Sequence, residues 1–114
     1  LSSNVQQSPS DLIKSKGDSV ELVCLHSLNN YNIILWYRNI ANHTLELMGY
    51  LWNKKDYVET NFTEKIEMNG DANKNCTLVI KELSSDDSTV YFCAASVHSD
   101  TKHLSFAQKR SLAV

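Results

Sequence analysis

The sequence predicts an all-β protein of eight or more short strands, folded as a sandwich or a barrel. Three observations predict it. Short apolar runs alternate with period two, as in "SVELVC", where Val20, Leu22 and Cys24 share one face. Polar clusters such as "SLNNYN", "NGDANKN" and "SSDDS" separate these runs. No stretch keeps an i, i+3, i+4, i+7 stripe for more than about two helical turns.

Each run has its own warrant. After "SVELVC" comes "IILWY", whose β-branched and aromatic residues suit a pleated, well-covered strand. "LELMGYL" and "KIEM" alternate next, and in "CTLVI" the residues Cys76, Leu78 and Ile80 share one parity. "TVYFC" sets Tyr91 and Cys93 on the same face, and "HLSF" and "SLAV" close the chain. "KELSSDDS" is expected to hold one helical turn at most. The expected core contains Val5, Leu12, Val20, Leu22, Trp36, Leu78, Ile80, Leu83 and Tyr91.

Composition bounds the function. A chain of 114 residues, 42% hydrophobic and 21% charged, reads as one domain spanning 1–114 around one core. Its net charge of −2 gives no footprint for nucleic acid or for anionic lipid. No apolar stretch approaches the roughly 18 to 20 residues needed to span a bilayer. The start, "LSSNVQQSPS", reads as lacking a signal peptide, absent or already removed. No repeat or low-complexity segment is evident.

Catalytic and metal chemistry find no pattern. The three cysteines fit no zinc spacing, and no CxxC or HxxxH occurs. His26, His43, His98 and His103 fall in predicted loops or turns without Glu or Cys at a ligand spacing. No nucleophile elbow, glycine-rich phosphate loop or paired-carboxylate arrangement is present. The expectation is a non-enzyme without cofactor or metal. Three Asn-x-Ser/Thr sequons, at Asn42, Asn61 and Asn75, are candidate N-glycosylation sites and support an oxidising, extracellular setting.

Cys24, Trp36 and Cys93, with Tyr91 two positions before the last and Asp87 six before it, carry a family resemblance. Together with "GDSVELVC", "LWYR", "LELMGY" and "CTLVIKELSSDDSTVYFC", they resemble an immunoglobulin V-set domain over nearly the whole chain. "VQQSPSDL", "WYR" and "DDSTVYFCAAS" are similar to antigen-receptor variable domains, above all those of T-cell receptor β chains, with α chains sharing most of these words. The resemblance implies a V-type two-sheet antiparallel Greek-key sandwich of roughly nine strands, with a Cys24–Cys93 bridge between the family's strands B and F and Trp36 packed on it. It also implies a tyrosine corner at Tyr91, and a structural role for Asp87 beside a base, with Lys65 the nearest candidate. Closing a loop of about 70 residues stabilises by roughly 4 kcal/mol in the chain-entropy model.

The resemblance also assigns ligand binding to three loops at one end of the sandwich. The first spans about His26 to Asn32 and includes Asn29, Asn30 and Tyr31. The second spans Trp52 to Tyr57 through Asn53, Lys54, Lys55 and Asp56. The third spans about Ala95 to Ser105 and offers Val97, His98, Ser99, Asp100, Thr101, Lys102 and His103. Adaptable Asn and Ser with rigid Tyr and Trp suit recognition of protein surfaces. The implied function is ligand recognition by the ectodomain of a plasma-membrane immune receptor. Its partner would be a protein ligand, MHC-like or another cell-surface protein, and membrane attachment would lie only in segments outside this chain.

Two departures bear on pairing with a second V domain. Ala107 and Lys109 stand where the family's Phe-Gly-x-Gly bulge has glycines, and Asn39 replaces the Gln that bonds its counterpart across a V–V pair. Both changes fit the germline-joined novel immune-type receptors of fish as an alternative kinship. An adhesive V-set domain binding by its sheet face is a third reading. Tyr37, Asn39, Leu45, Leu47 and Phe106 form the expected pairing face, for association as a weak homodimer. Cys76 is expected to be a buried free thiol, or else an exposed one making an intermolecular bond.

Overall fold

The computed structural model describes residues 5–8, 11–26, 31–41, 44–97, 100–106 and 110–114, with side chains described for 12–25, 31–41, 44–97 and 111–114. Among the described residues eleven strands form two sheets. They are β1 (Val5–Ser8), β2 (Asp11–Ile13), β3 (Val20–His26), β4 (Ile33–Ile40), β5 (Thr44–Trp52) and β6 (Lys55–Val58), followed by β7 (Ile66–Gly70), β8 (Asn75–Ile80), β9 (Thr89–Val97), β10 (Asp100–Phe106) and β11 (Arg110–Ala113). One sheet has the order β1-β3-β8-β7, and the other β2-β11-β9-β4-β5-β6 with β10 paired to β9. The expectation of roughly nine strands differs because the first and last are each divided. β1 belongs to one sheet and β2 to the other, while β10 and β11 both pair with β9.

Period-two alternation produces the core. Val20, Leu22 and Cys24 of β3 face Cys76, Leu78 and Ile80 of β8, and all six are buried. β7 adds Ile66 and Met68. From the opposing sheet come Ile34 and Trp36 of β4, Met48 and Leu51 of β5, and Tyr91, Cys93 and Ala95 of β9. Of the expected core, Leu12 is partly buried against this cluster, and the side chain of Val5 lies outside the described residues. A register shift between Trp36 and Tyr37 lets β5 place both Met48 and Gly49 inside.

Cys24 and Cys93 are bridged, with Cα atoms 6.3 Å apart. Trp36 stands opposite Cys93 in the β4–β9 ladder and is fully buried. The tyrosine corner is formed: Tyr91 Oη donates to the Asp87 carbonyl at 2.7 Å. Burial, then the Asp87 charge, raises the Tyr91 phenol above its ordinary range, with Arg38 opposing. Asp87 itself is buried and doubly held. Its Oδ2 accepts from Ser84 N at 2.9 Å and pairs with Lys65 Nζ at 2.7 Å. Lys65 also donates to the Glu82 carbonyl at 3.0 Å, so the ammonium is held at both contacts. The "SSDDS" segment supplies the expected single turn, a 3-10 turn at Ser85–Asp87.

Candidate recognition surface

Ladder registers bring three connections to one end of the molecule. Ile33, which opens β4, pairs with Trp52 at the end of β5 and with Ser96 near the end of β9. The start of β4, the β5–β6 turn and the end of β9 therefore lie side by side. The β5–β6 connection is a two-residue turn, because Trp52 pairs directly with Lys55. Asn53 adopts φ 56°, the left-handed region that tight hairpins require and Asn tolerates better than most residues.

Asn53 fixes this end by hydrogen bonds. Its backbone N donates to the Asn32 carbonyl at 2.8 Å, and its own carbonyl accepts from Ala72 N at 2.7 Å. Its side-chain Oδ1 accepts from Asn73 Nδ2 at 3.0 Å. One residue thus ties the end of the first connection to its own turn and to the β7–β8 turn. That last turn is ordered by Asp71, whose Oδ1 accepts from Asn73 N at 3.0 Å. The hydrogen bonds from the Asn73 backbone and side chain hold the Asp71 carboxyl below its usual range. Gly70 precedes the turn at φ 110°, and a Cβ there would run into the Asn75 carbonyl oxygen.

The expected loop residues divide accordingly. Asn53 and Lys54 form the turn and are exposed. Trp52, Lys55, Asp56 and Tyr57, expected in the second loop, are strand residues of β5 and β6. The reason is local: with Asn53 left-handed, two residues suffice to reverse the chain. Lys55 and Asp56 remain exposed, whereas Trp52 and Tyr57 are half-buried. Tyr57 stacks on Tyr50 with ring centroids 4.8 Å apart, and Lys55 Nζ lies 5.6 Å from the Tyr57 ring.

The third loop is likewise shorter than expected. Ala95, Ser96 and Val97 belong to β9, the first two fully buried, and Asp100, Thr101, Lys102 and His103 belong to β10. β9 extends further because its ladder with β4 runs to Ser96. His98 and Ser99 lie outside the described residues, as do the side chains of His26 and of residues 100–103. In the first connection Asn29 and Asn30 are outside the described residues, His26 ends β3, and Tyr31 packs partly against the core. The β7–β8 turn was not foreseen at this end, although the "NGDANKN" cluster signalled a turn.

On the outer face of the larger sheet, the register sets Tyr37 opposite Leu47 and Asn39 opposite Leu45. Leu45 is exposed, while Tyr37, Asn39 and Leu47 are half-buried, and burial raises the Tyr37 phenol. Phe106 pairs in backbone register with Ala94, its side chain outside the described residues, as are Ala107 and Lys109. Of the sequons, Asn61 and Asn75 are exposed and Asn42 is outside the described residues. Cys76 is free and buried, which rules out the exposed thiol. Its place opposite Cys24 in β3 turns it inward. Among the described residues no three His, Cys, Asp or Glu side chains are grouped as a metal site.

Comparison with known proteins gives consistent kinship. Residues 7–114 match the model of the immunoglobulin V-set domain. The chain is 27% identical over 96 residues to T cell receptor beta variable 10-3 of Homo sapiens, covering 84% of this chain and 83% of that protein. It is 29% identical over 92 residues to T-cell receptor beta chain V region C5 of Mus musculus, covering 81% and 75% respectively. A chain in a solved structure concerned with T cell specificity and activation by the bacterial superantigen toxic shock syndrome toxin-1 superposes with a TM-score of 0.86. That chain is 27% identical, with 96% of this chain and 97% of the other covered. The bridged Cys24 and Cys93, the buried Trp36 and the Tyr91 corner agree with that match: the chain belongs to the immunoglobulin V-set domain family.

Proposed function

We propose that this domain recognises a protein ligand, MHC-like or another cell-surface protein, through the connections gathered at the Asn53 end. In this reading it is part of the extracellular portion of a plasma-membrane immune receptor. As a V-set domain similar to T-cell receptor variable domains, it is a receptor domain and not an enzyme. Such domains are the extracellular parts of receptors. Among the described residues no helix is long and apolar enough to cross a membrane, and attachment in this reading lies in segments beyond this sequence.

The observation that carries the proposal is the hydrogen-bonded hub at Asn53. It presents exposed Lys54, Lys55, Asp56 and Asn73 from a backbone that is already ordered. Binding through preordered segments avoids much of the entropic cost of fixing loops on contact. The test is staining of intact cells by fluorescent tetramers of the domain. Saturable staining, abolished by mild protease treatment of the cells, is expected, and deletion of MHC molecules from the same cells separates the two ligand classes. Staining no stronger than that of an unrelated V domain, or indifferent to protease, overturns the proposal.

The outer sheet face supports a second association. Leu45 is 39% exposed beside half-buried Tyr37, Asn39 and Leu47, an apolar surface suited to a second V domain. We propose weak self-pairing there, since Asn39 is shorter than the family's Gln. Sedimentation at rising concentration should show a mass increase that Tyr37→Ser or Leu45→Ser removes. A strict monomer at all concentrations ends this reading.

A further inference from the structure

The core holds three cysteines, and Cys24 neighbours both of the others. Across the sandwich it is bridged to Cys93 of β9, with Cα atoms 6.3 Å apart. Within its own sheet it is the direct cross-strand partner of Cys76 in β8. Directly opposed residues of an antiparallel pair have Cα atoms about 4.5 to 5.5 Å apart. Disulfides form over about 4.4 to 6.8 Å, so both neighbours fall within bridging range of Cys24. All three cysteines are buried in one core cluster.

We infer that Cys24 and Cys76 constitute a second disulfide site, reached from the first by thiol–disulfide exchange. The step balances without an oxidant or reductant. Cys76 gives its proton to solvent, and its thiolate attacks Cys24 Sγ. The Cys24–Cys76 bond forms as the Cys24–Cys93 bond breaks, and Cys93 leaves as a thiolate that takes up a proton. One bridge and one free thiol exist before and after. The new loop is shorter than the present one, a difference of only about 1.5-fold in chain-closure probability. Chain entropy therefore hardly separates the two bridges, and local access decides between them.

The native fold withholds the nucleophile. Cys76 Sγ donates to the Asp71 carbonyl at 3.3 Å and is 1% exposed. Burial, and then the Asp71 charge, push its thiol up to about 12. Asp71, in the β7–β8 turn, is the charged group facing it. On β3 it stands opposite Cys24, whose bridged sulfur does not titrate, and on β7 opposite Gly70. Opening of the β7–β8 turn would break the bond to Asp71 and admit solvent while the β3–β8 ladder still holds Cys24 and Cys76 together.

Two measurements test this. In Cys93→Ser, expressed under oxidising conditions and blocked with N-ethylmaleimide in denaturant, peptide mapping should recover Cys24 and Cys76 linked. Recovery of both as alkylated residues from a folded variant overturns the inference. The wild-type domain keeps the question open to experiment if that variant fails to fold. Held without reductant at pH 9 in guanidinium just below its unfolding transition, then acid-quenched and mapped, it should show label moving from Cys76 to Cys93. Label on Cys93 should exceed that on Cys24 at least threefold. Label confined to Cys76, or spread equally over Cys24 and Cys93, overturns the inference.

Discussion

The bridged core and the Asn53 end solve the same problem, fixing neighbouring segments, by opposite means. At the core, Cys24, Trp36, Cys93 and Tyr91 are wholly removed from solvent, and a covalent bond, packing and one short hydrogen bond hold them. At the Asn53 end the residues are exposed and polar, and what fixes them is mostly hydrogen bonding to main-chain atoms. The difference teaches where substitution is tolerated. A core built on side-chain identity resists change at almost every position. An end built on backbone bonds needs Asn53, Asp71, Asn73 and Gly70 to be right, and leaves exposed Lys54, Lys55 and Asp56 free to vary.

Several substitutions can break or sharpen that contrast. The largest effect is expected for Cys24→Ala, which removes the bridge closing a 69-residue separation. It should cost roughly 4 kcal/mol in the chain-entropy model, read from chemical unfolding. Cys93→Ala should cost less, because Cys24 keeps a partner in Cys76. Next, Trp36→Ala should cost about 3 to 5 kcal/mol through the cavity it leaves. Asp87→Ala should cost roughly 3 kcal/mol, since Lys65 and Ser84 N would each lose a partner. These four changes should leave ligand recognition unchanged in whatever fraction stays folded.

At the other end the effects on stability are smaller. Gly70→Ala should cost about 1 to 3 kcal/mol because of its positive φ and the clash with Asn75. Asn53→Ala should cost about 1 to 2 kcal/mol, by losing the bond to Asn73 and straining the left-handed turn, and should also weaken binding. Lys54→Glu, exposed and outside any bond in the hub, should change stability by no more than about 0.5 kcal/mol. Alkaline pH adds an independent probe of the core. Cys76 and Tyr91 are both held protonated above their ordinary values, so the unfolded chain loses those protons first. Their stabilisation is complete below about pH 9 and declines as pH rises toward 12, and a melting curve should shift down over that window.

Most of the core was legible in the sequence, because burial on a sheet imposes a period of two that Val20, Leu22, Cys76, Leu78 and Ile80 display openly. The fold class and the Cys24–Cys93 bridge followed from the resemblance, and both stand. The edges of the site were less legible. Lys55 to Tyr57 read as loop because charged, exposed Lys55 and Asp56 open a short strand at the edge of its sheet and show no alternation. The length of β9 depended on its pairing with β4, a non-local fact that local composition does not carry. The Asn53 hub joins residues distant in sequence through backbone groups, which every residue possesses and no motif marks. The proximity of Cys76 to the bridge is also a matter of register.

The central claim is that recognition belongs to the loop end and not to the outer sheet face. The direct measurement compares cell staining by tetramers of two variants with matched melting temperatures. One carries Lys54→Glu with Gly-Ser replacing residues 98–101, and the other carries Tyr37→Ser with Leu45→Ser. The account predicts at least a tenfold loss of staining for the first variant and little change for the second. Retained staining by the first with loss in the second would contradict it, and would make this an adhesive domain that binds by its sheet.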